Sequence, residues 1–278
     1  MTQRTGKSQR RTGIALGLVV LLAALWALLG LTAPDASGVS ATVIGKVGKA
    51  PKPSCPTPKK KNDPNFQPAP SKQCEAVGEV TGLQVRAAGE VNPYKIRSSG
   101  RIVAWSIDLS RPSEAELAFF QDAPSGGPDV EEGVGWGKPS ARISILKKQK
   151  QQRFKLVKQS RKVSLESSLG RSPIFTLKKP LRVKAGLFVA ITTPSWFPNL
   201  AHDEPVATPN GDQWLASRGA EHCGDVPPGA SEADFIAAQQ DVIETSKPHQ
   251  KQGTIRPYKC RYTSARLLYT AYLAPEKT

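Results

Sequence analysis

The chain has 278 residues, enough for one or two domains, but roughly forty at the start read as targeting sequence and about thirty more as linker. That leaves one domain of about 200 residues, large enough to bury a core of its own. The formal charge of +16 persists without the leader, where Arg4, Lys7, Arg10 and Arg11 supply only four positive charges. It makes anionic surroundings natural partners and decides nothing about fold.

Residues 1–12 are a basic n-region with no acidic residue, and every residue from Ile14 to Ala33 is apolar, glycine or threonine. As a helix, such a segment spans about 30 Å, the thickness of a bilayer core, so 13–33 reads as a transmembrane anchor or the apolar part of a signal peptide. The length favours a retained anchor, whereas Val39-Ser40-Ala41 is an acceptable cleavage site. In both cases the positive residues stay inside and the rest of the chain is delivered to the outer side of the membrane. Gly13 and Gly17 make one GxxxG match, which is weak evidence for helix pairing.

Residues 34–73 read as an extended, solvated Pro/Lys-rich extracellular linker. Pro51, Pro53, Pro56, Pro58, Pro64, Pro68 and Pro70 crowd it, together with Lys59-Lys60-Lys61, and Phe66 is its one aromatic residue. The four cysteines, Cys55, Cys74, Cys223 and Cys260, are an even number in an exported chain, which suits disulfides. Three connectivities exist, and the local loops favour Cys55–Cys74 with Cys223–Cys260. There is no CxxC pair, so a metal site is not expected, and no cofactor fingerprint is present.

From residue 74 to 278 the apolar period is two, in short runs bounded by glycine, proline and serine. The runs are Val77 to Val85, Ile102 to Leu109, Ala141 to Ile145, Phe154 to Lys158, Phe175 to Leu177, Leu181 to Val183, Leu187 to Thr193 and Arg266 to Leu273. In the second, Val103, Trp105, Ile107 and Leu109 share a face, which makes Trp105 core. The stretch Leu181 to Leu187 reads as two strands about a glycine turn. One helical stretch, Ser231 to Glu244, opens on a capping box made by Ser231 and Asp234. The expected fold is therefore mainly β: an antiparallel, jelly-roll-like β-sandwich with a short helix in a C-terminal loop.

The strings LFVAITTPSWFPN (Leu187 to Asn199), QWLASR (Gln213 to Arg218) and ARLLYTAYL (Ala265 to Leu273) resemble exported, uncharacterised β-sandwich domains of high-GC Gram-positive bacteria. The resemblance covers most of the ectodomain and implies a fold but no assigned activity.

Candidate chemistry begins with the histidines. His202, His222 and His249 all lie in the C-terminal part, and no GxSxG, HExxH, papain-like cysteine or phosphate-binding glycine loop accompanies them. Ser195 or Ser217 with His202 and Asp203 makes a triad only on paper. Carboxylates cluster at Asp129, Glu131 and Glu132 and at Asp203 and Glu204, in loops where a glycosidase pair or an ion site is conceivable. Trp196 and Trp214, the latter beside Asn210, Asp212 and Gln213, are an appropriate kit for a sugar, though core burial competes.

The densest charge feature runs from Lys147 to Lys162, with Lys147, Lys148, Lys150, Arg153, Lys155, Lys158, Arg161 and Lys162 and no acidic residue. On a hairpin, alternation exposes Arg153 and Lys155 and turns Phe154 inward, which suits a polyanion and leaves nothing to stack on nucleic-acid bases. A solvated edge hairpin is the competing reading. The functional expectation is a non-catalytic binding or structural module at the cell envelope. Its partners would be anionic cell-wall polymer, glycan or lipid head groups, with nucleic acid disfavoured by export. An envelope hydrolase with a site in the loops is the alternative.

Overall fold

The computed structural model describes residues 41–49, 51–53, 76–121, 135–202, 211–227 and 229–276. The expected leader, most of the linker, and the pair Cys55 and Cys74 lie outside them, as do the acidic loop residues Asp129, Glu131, Glu132, Asp203 and Glu204. Among the described residues no helix is long and apolar enough to cross a membrane.

The chain is mainly β, built of antiparallel sheets. Strand β1 (Thr42–Ile44) is followed by β2 (Val77–Gly78), β3 (Thr81–Ala87), β4 (Glu90–Val91) and β5 (Gly100–Ile107). Helix α1 (Glu114–Gln121) precedes β6 (Ser140–Lys148), β7 (Arg153–Gln159), β8 (Val163–Ser164) and β9 (Ile174–Val183). Then come β10 (Phe188–Thr192), β11 (Trp196–Phe197), β12 (Leu200–His202) and β13 (Gln213–Ala216). Helix α2 (Glu232–Thr245) leads to β14 (Ile255–Pro257), β15 (Cys260–Thr263), β16 (Ala265–Leu267) and β17 (Tyr269–Pro275).

A four-stranded sheet has the order β1-β17-β5-β9. A nine-stranded sheet has the order β14-β7-β6-β10-β3-β13-β15, with β4 beside β3 and β8 beside β6. Two short ladders, β11-β2 and β12-β16, complete the fold. The large sheets share one core. Tyr94 donates its hydroxyl to the Tyr269 carbonyl, and Tyr269 donates its own to the Val189 carbonyl at 3.1 Å, tying β17 to β10. The two rings stack at 4.1 Å, and burial raises the pKa of both phenols, so each stays a donor.

Strand alternation divides the nine-stranded sheet into two faces. Gly82, Ile143, Ile191 and Ala216 share one face, and at Gly82 that face lies against β16: a side chain there would press on the end of the Leu267 side chain, which would have to shift. Thr81, Leu83, Val85, Ser144, Leu146, Phe188, Thr192 and Leu215 look outward, yet Leu83 and Leu146 are fully buried. The segment from Ser246 to Tyr258 lies over this face, with His249 on Thr81 and Tyr258 on Phe154, and includes β14, the strand that pairs with β7.

Several expectations change for physical reasons. Within the stretch read as linker, Thr42–Ile44 pairs with β17 and Ile44 and Val47 are buried, so the compact unit includes residues from Ala41 on. The run Val77 to Val85 is broken at Glu79, which has φ of +24°, into β2 and β3. A bulge between Ile102 and Ala104 puts Ile102, not Val103, in the core, while Trp105 is buried as expected. Leu181 to Leu187 is a corner and not a hairpin, because β9 pairs with β5 in one large sheet and β10 with β6 in the other. Phe175 to Val183 is one strand, in which Lys178, Lys179 and Pro180 guard a sheet edge against pairing.

Helix α2 has the expected cap: Ser231 and Asp234 bond each other's backbone N–H groups. Its Phe235 and Ile236 are about half exposed, so these two residues do not pack the loop onto the sheets. Helix α1 went unread, although Ser113 and Glu116 form the same reciprocal cap, with Ser113 N–H donating to the Glu116 carboxylate at 2.6 Å.

Cys223 and Cys260 are joined, with a sequence separation of 37. Opening that loop by Cys223→Ala with Cys260→Ala lowers stability by about 4 kcal/mol on the loop-entropy relation. Urea unfolding of the double variant measures it, and an unchanged midpoint contradicts it.

Candidate functional site

Neither tryptophan offers a ring face. Trp196 is fully buried, donates Nε1–H to the Gly137 carbonyl at 2.6 Å, and stacks on Phe120 at 4.7 Å. Trp214 is 5% exposed, shares its face with Gly82 beside Leu267 of β16, and stacks on Tyr262 at 4.4 Å. The two stand in different sheets, β11-β2 and the nine-stranded sheet, and do not form one platform. Asp212 is fully buried as well. Its carboxylate takes Arg266 at both oxygens, with Nη2 to Oδ1 at 2.9 Å, and accepts the Ala88 N–H at 2.8 Å. This buried ion pair fastens the β3–β4 turn to β16 and leaves no carboxylate for a sugar hydroxyl, because removing either partner would strand a charge. The expected aromatic sugar site is thus corrected to core packing.

The basic hairpin is real but divided. Lys147 stands opposite Lys155, with Arg153 on the same exposed face, a like-charge arrangement that costs folding energy. Phe154 is buried, 3% exposed, on the same side of the hairpin as Lys148. Lys158 donates Nζ to the Arg182 carbonyl at 2.9 Å and so serves the join between β7 and β9. Lys148 lies on the opposite face from Lys147. The hairpin is not an edge, because β14 pairs with the first three residues of β7.

Lys148 opens into a cleft of about 190 Å³ on the outer face of the nine-stranded sheet. Its cations are Arg86, Lys148 and Arg261, its amides Asn92, Gln152 and Gln213, and its floor Val85, Phe154, Phe188 and Leu215. No carboxylate and no imidazole is among the described lining residues. Arg261 is held by Gln213, which accepts its Nη1–H at 2.6 Å. The register shift between Gln213 and Trp214 leaves Val85 as an extra residue on β3, and both Val85 and Arg86 line the cleft. A bulge re-aims side chains in this way. Ala88 and Gly89, both with positive φ, make the two-residue turn that brings β4 to the rim.

The turn between β6 and β7 also borders the cleft. Gln151 and Gln152 both have positive φ, 55° and 53°, where a tight hairpin turn prefers Asn-Gly. Holding two glutamines there costs on the order of 1 kcal/mol each. Arg153 N–H donates to the Lys150 carbonyl at 3.2 Å and Tyr258 N–H to the Gln152 carbonyl at 2.9 Å, which fix the turn against the covering segment.

His222 and His249 have separate partners. His249 is fully buried in the covering segment. Its backbone N–H donates to Thr81 Oγ1 at 3.0 Å, and its ring meets Tyr258 Oη at 3.2 Å and Thr254 Oγ1 at 3.0 Å. Thr81, Thr192 and Ser144 continue this network by hydroxyl bonds of 2.8 and 2.7 Å across three strands. His222 pairs with Asp241 of α2 at 3.0 Å, and the side chain of His202 lies outside the described residues. Ser217 Oγ accepts the Thr81 N–H and Ser195 Oγ donates to the Lys138 carbonyl, while the His202 side chain and Asp203 of the paper triad lie outside the described residues. No three metal-binding side chains gather among the described residues.

Sequence reasoning found Lys148 and missed Arg86, Asn92, Gln152 and Arg261. Gln213 was noticed only as a neighbour of Trp214. They come from separate strands and turns, and no spacing in the sequence joins them. The chain matches no known protein family, curated protein or solved structure.

Burial pushes the His249 pKa down to about 4, and the nearby Arg256 charge works in the same direction. The unfolded chain therefore takes up this proton first. The contribution to stability is complete above pH ~6.5 and is lost as pH falls toward 4, roughly 3 kcal/mol in all. His249→Gln removes that part of the acid slope in urea titrations at several pH values; an unchanged slope contradicts the assignment. Separately, Gln151→Asn with Gln152→Gly relieves the strained turn and raises stability by about 1 kcal/mol in thermal unfolding. An unchanged or lower midpoint would show that the turn carries no strain.

Proposed function

We propose that the chain is a non-catalytic binding domain of jelly-roll-like β-sandwich build, held at the outer side of the membrane on its Pro/Lys-rich linker, and that it recognises an anionic polymer or glycan of the cell envelope. One observation carries this reading. The cleft combines three cations and three amides over an apolar floor, with no carboxylate among its described lining. Such a lining attracts anions and offers no described carboxylate or imidazole for acid–base chemistry.

Support for the location comes from the apolar leader and from the Cys223–Cys260 disulfide, which suits an oxidising compartment. The resemblance to exported domains of high-GC Gram-positive bacteria points the same way. The buried tryptophans move the emphasis from aromatic stacking to charge and amide contacts. Arg153, Lys155 and Lys147 on the other face of the hairpin add to the long-range attraction and lie outside the cleft's lining.

Binding of the purified chain to isolated anionic wall polymer weakens on the order of tenfold between roughly 50 and 200 mM salt. Lys148→Gln with Arg261→Gln removes most of the binding at an unchanged melting temperature. Affinity that ignores both salt and these substitutions contradicts the proposal.

A further inference from the structure

The four-stranded sheet β1-β17-β5-β9 has one face in the core and one face outward. Trp105, Ile107 and Leu273 point inward and are buried, so by strand alternation Arg101, Ser106, Tyr272 and Arg182 point outward. Ile174 stands opposite Ser106 on this outward face and is 60% exposed, the most exposed large apolar side chain among the described residues. The register sets out the chemistry of the face. Val43, Tyr272, Ala104 and Thr176 stand in one row across the four strands, and Thr270, Ser106 and Ile174 in the next. The Ser106 and Thr270 hydroxyls bond each other at 2.7 Å, so that pair needs no water. Arg101 stands opposite Arg182 at the end of the face, a like-charge pair that costs folding energy. Glu276 takes the Arg182 Nε at 3.1 Å, whereas Arg101 has no ion pair among the described residues. The four strands contain no Asp or Glu, and their other cations, Lys178 and Lys179, belong to β9, the edge strand. An apolar middle with a basic border is the pattern of a surface that rests on phosphate head groups.

The path of the chain is a second, independent argument. β1 is the other edge strand of this same sheet and begins at Thr42. The apolar stretch ends at Ala33, so residues 34–41 are all that separate the two. Fully extended, that segment reaches about 30 Å. A domain of about 200 residues is roughly 40 Å across. A retained anchor therefore holds this sheet closer to the bilayer than the width of the domain, and the outward face of the sheet that owns β1 is within reach.

We infer that the outward face of the four-stranded sheet lies on anionic phospholipid head groups, with Arg101 and Arg182 on phosphates and Ile174 and Tyr272 where head groups meet acyl chains. This rests on the reading of residues 13–33 as a retained anchor. It is separate from the cleft, whose ligand is the soluble anionic polymer. A lipid phosphate supplies the counter-ion that Arg101 lacks, and Tyr272, apolar in body and polar at its tip, suits such an interface. The contact is weak by itself, and the short tether makes it effective by holding the face at a high local concentration of head groups.

The test is methyl relaxation NMR of the full chain, isotope-labelled at isoleucine, in nanodiscs that carry a trace of lipid with a nitroxide head group. One disc is phosphatidylcholine alone, and the other contains about a third phosphatidylglycerol, the anionic component. In the anionic disc the nitroxide enhances relaxation of the Ile174 methyl about fivefold more than that of Ile236 on α2 or Ile255 on β14, both also exposed. Arg101→Gln with Arg182→Gln, at an unchanged melting temperature, lowers the Ile174 enhancement about threefold, and ~0.5 M salt does the same. Equal enhancement at the three isoleucines overturns the proposal. Equal enhancement of Ile174 in the two discs, unmoved by the double variant, overturns the head-group charge as its cause. A silent Ile174 in a chain that still binds isolated wall polymer in a salt-dependent way overturns this inference alone. A mature chain from native membranes whose mass begins at Thr42 overturns it together with the retained anchor and leaves the function of the cleft standing.

Discussion

The constraint on which the structure depends is that the nine-stranded sheet must be covered on both faces. Its inner face has the four-stranded sheet, tied to it through Tyr94, Tyr269 and the Val189 carbonyl. The outer face presents fully buried Leu83, Leu146 and Leu156, which would be costly in water at roughly 1.5–3 kcal/mol per side chain. Among the described residues, the segment Ser246 to Tyr258 supplies cover. It is anchored by His249 on Thr81, by the Phe154–Tyr258 ring contact at 4.9 Å and by Leu156 N–H on the Thr254 carbonyl at 3.0 Å. The cover stops short of the ends of β6, β3 and β13, and there the cleft remains.

This arrangement explains which residues are polar and which are strained. The row Ser144, Thr192 and Thr81 can be buried because the hydroxyls satisfy one another and the His249 N–H. The neutral imidazole is part of that cover, not an acid–base group. At the open end the local rules are broken instead. A bulge sits at Val85 and Arg86, two glutamines occupy a left-handed turn, and Lys147 faces Lys155 across a ladder. Departures of this kind are commonest at functional sites, where local stability is given up.

Much of the β-rich architecture was legible because alternation survives in individual strands: Trp105, Ile107, Ile143, Ile145 and Phe154 are buried as their period demands. The capping box of Ser231 and Asp234 was equally readable, being entirely local. Sheet membership was not. Leu181 to Leu187 looks like any hairpin, and only pairing with β5 on one side and β6 on the other reveals a corner. Val43 and Ile44 were averaged into a proline-rich stretch, though β17 needed an edge partner. The site was less legible still. Trp196, Trp214 and Asp212 suggested a sugar site by residue type, but residue type does not report burial. Arg86, Lys148 and Arg261 become neighbours only through the strand order.

The central claim is that the uncovered end of the outer face, and not the rest of the basic surface, receives an anionic ligand. Backbone amide shift mapping during titration with an acidic oligosaccharide tests it most directly. The account predicts perturbations confined to residues around Arg86 to Asn92, Lys148 to Phe154, Gln213 and Arg261. Perturbations centred on the Lys178 to Arg182 edge or on α2, with the cleft silent, would contradict it.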